Sequence, residues 1–194
     1  MDAAFTLFET PVGACGIAWT ARGIVALQLP EATPDRTRER MLRGLPDARE
    51  AAAPEPVRAA IDAIVALLHG AAIDLGTIVL DESGVPEFQR RIYAITRSIA
   101  PGTTLSYGAI ARRLGEPGAA RAVGHALGCN PYAIIVPCHR VLAADGGIGG
   151  FSAGGGSATK RKLLAIERAR VGDEPDLFAV EPALAAPAAG YRSA

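Results

Sequence analysis

The sequence predicts a mixed α/β (α+β) fold in two domains. Residues 1–83 form a small N-terminal support domain on an antiparallel sheet, and residues 84–170 a helical, winged-helix-like domain. Residues 171–194 form an Ala/Pro-rich tail expected to be disordered. Three observations predict this. Residues 3–29 alternate and break at turn residues, the pattern of a strand meander. Residues 107–128 read as helix, Gly-containing turn, helix, the helix-turn-helix pattern. Charge divides at the same places: residues 1–83 hold 12 acidic and 7 basic side chains, 84–170 hold 4 and 12, and 171–194 hold 4 and 1. The chain is formally neutral, yet its middle segment stands at +8, which suits a polyanion such as DNA.

In chain order, residues 3–8, 15–19 and 24–29 read as three antiparallel strands, with Thr10-Pro11-Val12-Gly13 and Thr20-Ala21-Arg22-Gly23 as turns. Cys15 and Trp19 are an even number of residues apart and are expected to face one side, with Cys15 in the core. Pro34 opens a charged surface helix, and residues 50–55 read as an Ala/Pro connector. Val57, Ile61, Ile64, Val65 and Leu68 form one apolar helical stripe, closed by His69 and Gly70. Residues 73–80 read as a further strand. Phe88, Ile92, Ile95 and Ile99 repeat at helical spacing until Pro101-Gly102, and Ser106 is a good N-cap for the next helix. The second helix of the pair starts with Ala119-Ala120-Arg121-Ala122, small residues where a base-reading helix carries long polar ones. Val123 and Leu127 face the core, and Arg121, about 200° around from Val123, points outward. His125 and Cys129 read as structural. Residues 133–136 read as a short buried strand, and Ser157 as the cap of the last helix.

Several classes are excluded. No apolar run is long enough for a transmembrane helix, and the start of the chain lacks the basic and apolar regions of a signal peptide. Three widely spaced cysteines, Cys15, Cys129 and Cys138, argue against a disulfide framework and for a reducing, cytoplasmic setting. Metal-ligand spacings are missing, so no metal site is expected. The Gly-rich run 146–156 lacks the Gly-Lys-Ser/Thr ending of a phosphate-binding loop.

Chemistry concentrates in Ile134-Ile135-Val136-Pro137-Cys138-His139-Arg140-Val141. A thiolate is a strong nucleophile, but an ordinary cysteine is only roughly 3 % ionised at neutral pH. A neighbouring base raises that fraction, so Cys138 beside His139 suggests nucleophilic catalysis. On an extended strand adjacent side chains diverge, so the two would communicate across a bend or through a water. Asn130-Pro131 favours a turn in which the Asn side chain bonds the backbone. Glu167, at the edge of the last helix's apolar side, wants a partner if buried.

The run Asn130-Pro131, Pro137-Cys138-His139-Arg140-Val141, Gly149-Gly150-Phe151, Lys160 and Leu163 to Glu167 resembles the O6-alkylguanine-DNA alkyltransferases, also called methylated-DNA–protein-cysteine methyltransferases. The likeness is strong over residues 84–168 and weak over 1–83. It implies an RNase H-like N-terminal domain and stoichiometric, irreversible alkyl transfer from O6-alkylguanine in duplex DNA to Cys138 after base flipping. It further implies a relay of Cys138, water, His139 and Glu167, with Tyr107 as proton donor to the leaving base and Asn130 shaping the bend. DNA contacts fall to Gln89, Tyr107, Ala119, Ala120 and Arg121, the last filling the gap of the flipped nucleotide. Val141, Phe151, Ser152 and Lys160 fall to the base pocket. No cofactor is implied, and the partner is double-stranded DNA, with O4-alkylthymine a second candidate lesion. A monomer without membrane attachment is expected. The chain departs from the family in Ile92-Tyr93 for the common Val-Trp, in Phe151 for Tyr, and in a longer loop before Lys160. Three rivals remain: a non-catalytic lesion binder, which the retained Cys138 disfavours; a winged-helix regulator sensing through Cys138; and a cysteine hydrolase.

Overall fold

The alternation of the first residues becomes three strands in the computed structural model, which describes residues 2–169. Strands β1 (Ala4–Phe8), β2 (Cys15–Thr20) and β3 (Gly23–Gln28) form an antiparallel meander, with a register shift between Ala18 and Trp19. The two faces of β2 separate two cores. Cys15, Ile17 and Trp19 join the main core, as expected for Cys15 and Trp19, while Ala18 packs with Phe5 and Met41 in a smaller one. Met41 belongs to helix α1 (Pro34–Gly44), whose first turn is capped by the Thr33 side chain accepting from Arg36 N. Strand β4 (Arg49–Glu50) then pairs parallel with β1 at the sheet edge, giving the order β3-β2-β1-β4. Nothing in the sequence of that connector announced a strand, because two exposed charged residues carry no periodicity. Helix α2 (Glu55–Leu68) buries Val57, Ile64, Leu67 and Leu68.

The strand expected at 73–80 does not form; one isolated parallel bridge, Ile24 to Leu80, is all that remains of it. Its backbone groups are engaged elsewhere. Arg97 Nη2 takes the carbonyls of Gly76 (2.8 Å) and Ile78 (2.7 Å), and the Asp74 side chain accepts from Gly76 N. The tail expected to be disordered at 171–194 lies outside the described residues.

The helices of the second half stand where the sequence placed them. Helix α3 (Glu87–Arg97) precedes strand β5 (Leu105–Ser106), and α4 (Tyr107–Arg113) and α5 (Ala120–Gly128) follow. Ser106 accepts from Ala109 N at 3.1 Å as the cap of α4. Strand β6 (Val141–Leu142) pairs parallel with β5, and helix α6 (Ser157–Ile166) comes last. Ser157 is not its cap. Gly156 takes that position at φ 54°, and no side chain bonds the first turn, because the Gly-rich run enters the helix through a left-handed residue that a serine would strain.

One hydrophobic core runs through both halves, from Cys15 to Leu163. Leu27 N donates to Pro131 O (2.8 Å), and Tyr132 Oη donates to Asp81 O (2.7 Å). Tyr132 also packs edge-on against Tyr93, with ring centres 6.1 Å apart. The Asp81 carboxylate accepts from Thr20 (2.6 Å) and Arg22 (3.1 Å). The Thr20 bond does most to hold that carboxyl well below its ordinary range; burial opposes it and Arg22 assists. The seam between the halves is thus fixed directly beneath residues 130–138.

Candidate active site

The segment before Cys138 is a knot of turns and not the short strand expected at 133–136. Ile134 has φ 69°, a left-handed conformation unusual for a β-branched residue. Local bonds hold it there: Val136 N to Tyr132 O (2.8 Å) and Cys138 N to Val136 O (2.8 Å). Asn130 closes the knot from both ends, its Oδ1 accepting from Tyr132 N and its Nδ2 donating to Val136 O, each at 2.9 Å. The side-chain role read for Asn130 is what the geometry has. Alternation could not reveal the turn, since a fully buried apolar run reads alike as strand or turn.

Cys138, His139 and Arg140 then form a single 3-10 turn, so Cys138 and His139 share a bend. His139 is buried, and its Nε2 lies 3.0 Å from Glu167 Oε1. Arg140, which sequence reasoning left without a role, grips the same carboxylate with two bonds, Nε to Oε2 (2.8 Å) and Nη2 to Oε1 (2.7 Å). Its Nη1 donates to Ile99 O. A buried carboxylate needs compensation, and the arginine beside His139 was the available signal. Burial alone would raise the Glu167 carboxyl, but hydrogen bonds from His139 and Arg140 hold it down at about 2. Burial pushes the His139 imidazole down, against the opposing pull of Glu167. The Glu167 contact assigns the Nε2 proton, leaving Nδ1 as a buried acceptor with no hydrogen-bond partner among the described residues.

Cys138 is half-buried. Burial pushes its thiol up, opposed by the Asn130 side chain and the Lys160 charge. It opens onto a cleft of about 470 Å³ lined by Tyr107, Gly124, Leu127, Phe151 and Ser152. Burial, and next the nearby Cys138, push the Tyr107 hydroxyl up, so it remains protonated. Lys160 lies fully buried behind this wall, donating to Val141 O at 2.6 Å with its Nζ 5.8 Å from the Tyr107 ring centre. Val141 is buried in the β5–β6 pair and meets Lys160 through its carbonyl. Phe151 and Ser152 therefore line the cleft, whereas Lys160 and Val141 support it from beneath.

On α5, Val123 and Leu127 are buried and Arg121 is exposed, as their spacing required. Ala119 and Ala120 are half-buried beside it. Gln89 stands on α3, its side-chain amide 3.4 Å from the Tyr93 hydroxyl, which donates to Ala126 O of α5 (3.1 Å).

The chain is similar to known proteins in sequence and in fold. A family model described as the DNA-binding domain of 6-O-methylguanine DNA methyltransferase matches residues 87–169. A methylated-DNA–protein-cysteine methyltransferase of Mycobacterium bovis is 38% identical over 176 residues, 90% of this chain and 98% of that protein. One of Mycolicibacterium paratuberculosis is 55% identical over 91 residues, 47% of this chain; the match spans about half of that relative, 53%. A crystal structure of Mycobacterium tuberculosis OGT in complex with DNA is similar with a TM-score of 0.67 at 36% identity, covering 86% of this chain and 94% of that one. The chain belongs to the methylated-DNA–protein-cysteine methyltransferase family.

Proposed function

We propose that this protein repairs DNA by moving the alkyl group of O6-alkylguanine in duplex DNA onto Cys138, once per molecule. The observation that carries the reading is Cys138 at the floor of the cleft, on the same turn as a buried His139 backed by Glu167 and Arg140. The duplex binds along α5, and Arg121 fills the place of the flipped nucleotide. Flipping costs a few kcal/mol, and less for a base that pairs badly, so damaged guanine is favoured. Cys138 Sγ attacks the alkyl carbon, and the bond from that carbon to O6 breaks. The thiol proton passes through a water to His139 Nδ1, and the ionised Glu167 stabilises the imidazolium. Tyr107 gives a proton to the departing guanine. The protein is the acceptor, so the balance needs no cofactor. A thioether has no good leaving group, and neither His139 nor Glu167 can expel one, so the reaction ends there.

Labelled O6-methylguanine duplex tests this. Label should move to the protein up to about one equivalent and stop, with the Cys138 peptide heavier by one methylene. Cys138→Ser should abolish transfer and Cys129→Ser should not. Turnover beyond one equivalent with intact Cys138 would favour a cysteine hydrolase instead.

A further inference from the structure

The Gly-rich loop is held from the other half of the molecule. Arg40, on α1, donates from Nη2 to Ser152 O at 3.0 Å, across 112 residues of chain. Among the described residues no other hydrogen bond reaches 148–152. The Arg40 Nε also lies 3.3 Å from Glu31 Oε1, a buried oxygen that accepts no hydrogen bond and so rests on the arginine's charge. Two residues beyond Ser152 the loop lies directly on the β3–α1 connection: a Cβ on Gly154 would stand 2.8 Å from both Pro30 O and Glu31 Oε2. The loop is therefore docked on the N-terminal half at Ser152 and Gly154.

What the docked segment does follows from its place. Phe151 and Ser152 line two clefts that both reach Cys138. One is the cleft of Tyr107, Gly124 and Leu127; the other, about 410 Å³, runs toward Leu27, Arg40, Met41 and Leu45. The segment is the partition between them. A methyl group reaches only the first atoms of the pocket and depends on a tight wall to stand within reach of Sγ, about 3–3.5 Å for reaction. A bulky group extends past the partition and gains when it yields.

We propose that Arg40 is a positioning residue which, through Ser152, sets the partition and with it the size of alkyl group that Cys138 accepts. This rests on the alkyl-transfer reading above. The test compares transfer rates from O6-methylguanine and O6-benzylguanine in the same duplex for the unaltered protein, Arg40→Ala and Arg40→Lys, with thermal midpoints alongside. Arg40→Ala should raise the benzyl-to-methyl rate ratio about three- to tenfold, the worth of one hydrogen bond. Arg40→Lys keeps the charge beside Glu31 and a donor for Ser152 O, so it should return the ratio toward the original. A ratio unchanged in Arg40→Ala, or two rates falling in proportion with the thermal midpoint, overturns the proposal. So does a lysine variant whose ratio matches that of alanine. Failure of the unaltered protein to transfer either group would instead remove the alkyl-transfer reading.

Discussion

Glu167 is shared by His139 and Arg140, and the sharing sets how the site responds to acid. Unfolded, a glutamate titrates near 4.3; folded, Glu167 is held at about 2. The unfolded chain binds more protons in that window, so the stability Glu167 contributes is complete above about 4.3 and lost as pH falls toward 2. It amounts to about 3 kcal/mol. His139, pushed down by burial, acts in the same direction as pH drops below about 6.5, where an unfolded histidine takes its proton. The urea midpoint should therefore fall from pH 7 to pH 3, and fall less in Glu167→Gln; parallel curves would contradict the shared-carboxylate account. Arg121 is exposed among alanines, and in the proposed function it acts on DNA and not on the fold. Arg121→Ala should slow transfer from duplex by roughly tenfold, part of the few kcal/mol that flipping costs. Transfer from free O6-benzylguanine should be unchanged. Equal loss on both substrates would make Arg121 a structural residue.

Among the elements, the knot at 130–138 governs where the thiol points. Ile134 and Ile135 are both buried, 1 % and 2 % exposed, but only Ile134 has a positive φ. Replacing either with glycine removes a similar buried side chain and adds similar backbone freedom. At Ile134 glycine also relieves a left-handed conformation worth about 1–2 kcal/mol. Ile134→Gly should therefore destabilise less than Ile135→Gly by about that amount in urea unfolding. Equal losses would mean that the turn holds Ile134 without strain. The relief has a functional counterpart: a looser knot positions Cys138 less well, so Ile134→Gly should lose transfer rate despite its milder effect on stability.

For the whole molecule, charge is arranged by the fold and not merely counted. The segment at +8 includes Arg140 and Lys160, which are buried. Arg90, Arg112, Arg113, Arg121, Arg161, Lys162 and Arg168 remain exposed. If roughly four of these meet phosphates, DNA affinity should fall about a hundredfold between 50 and 200 mM salt through counterion release. An affinity insensitive to salt would remove the electrostatic basis of binding.

Local pattern was enough for what local forces decide. The meander, the Ser106 cap, the apolar stripes of α2 and α3 and the outward Arg121 follow from periodicity and capping, and the contact of His139 with Glu167 from the family that the signature run resembles. Their causes lie within a few residues, or within a motif whose members are chemically distinctive. Tertiary structure alone decided the rest. The segment 73–80 lost its ladder because Arg97 took its carbonyls. The run 133–136 became a knot because Asn130 bonds both of its ends. Strand β4 exists because β1 offered an open edge to two residues without any pattern. Arg140 found its partner 27 residues away, and Arg40 its loop at 112. Apart from the knot, whose Asn130 bonds span only two and six residues, each depends on a group far along the chain, and such a partner is specified only when the whole core closes and brings it near.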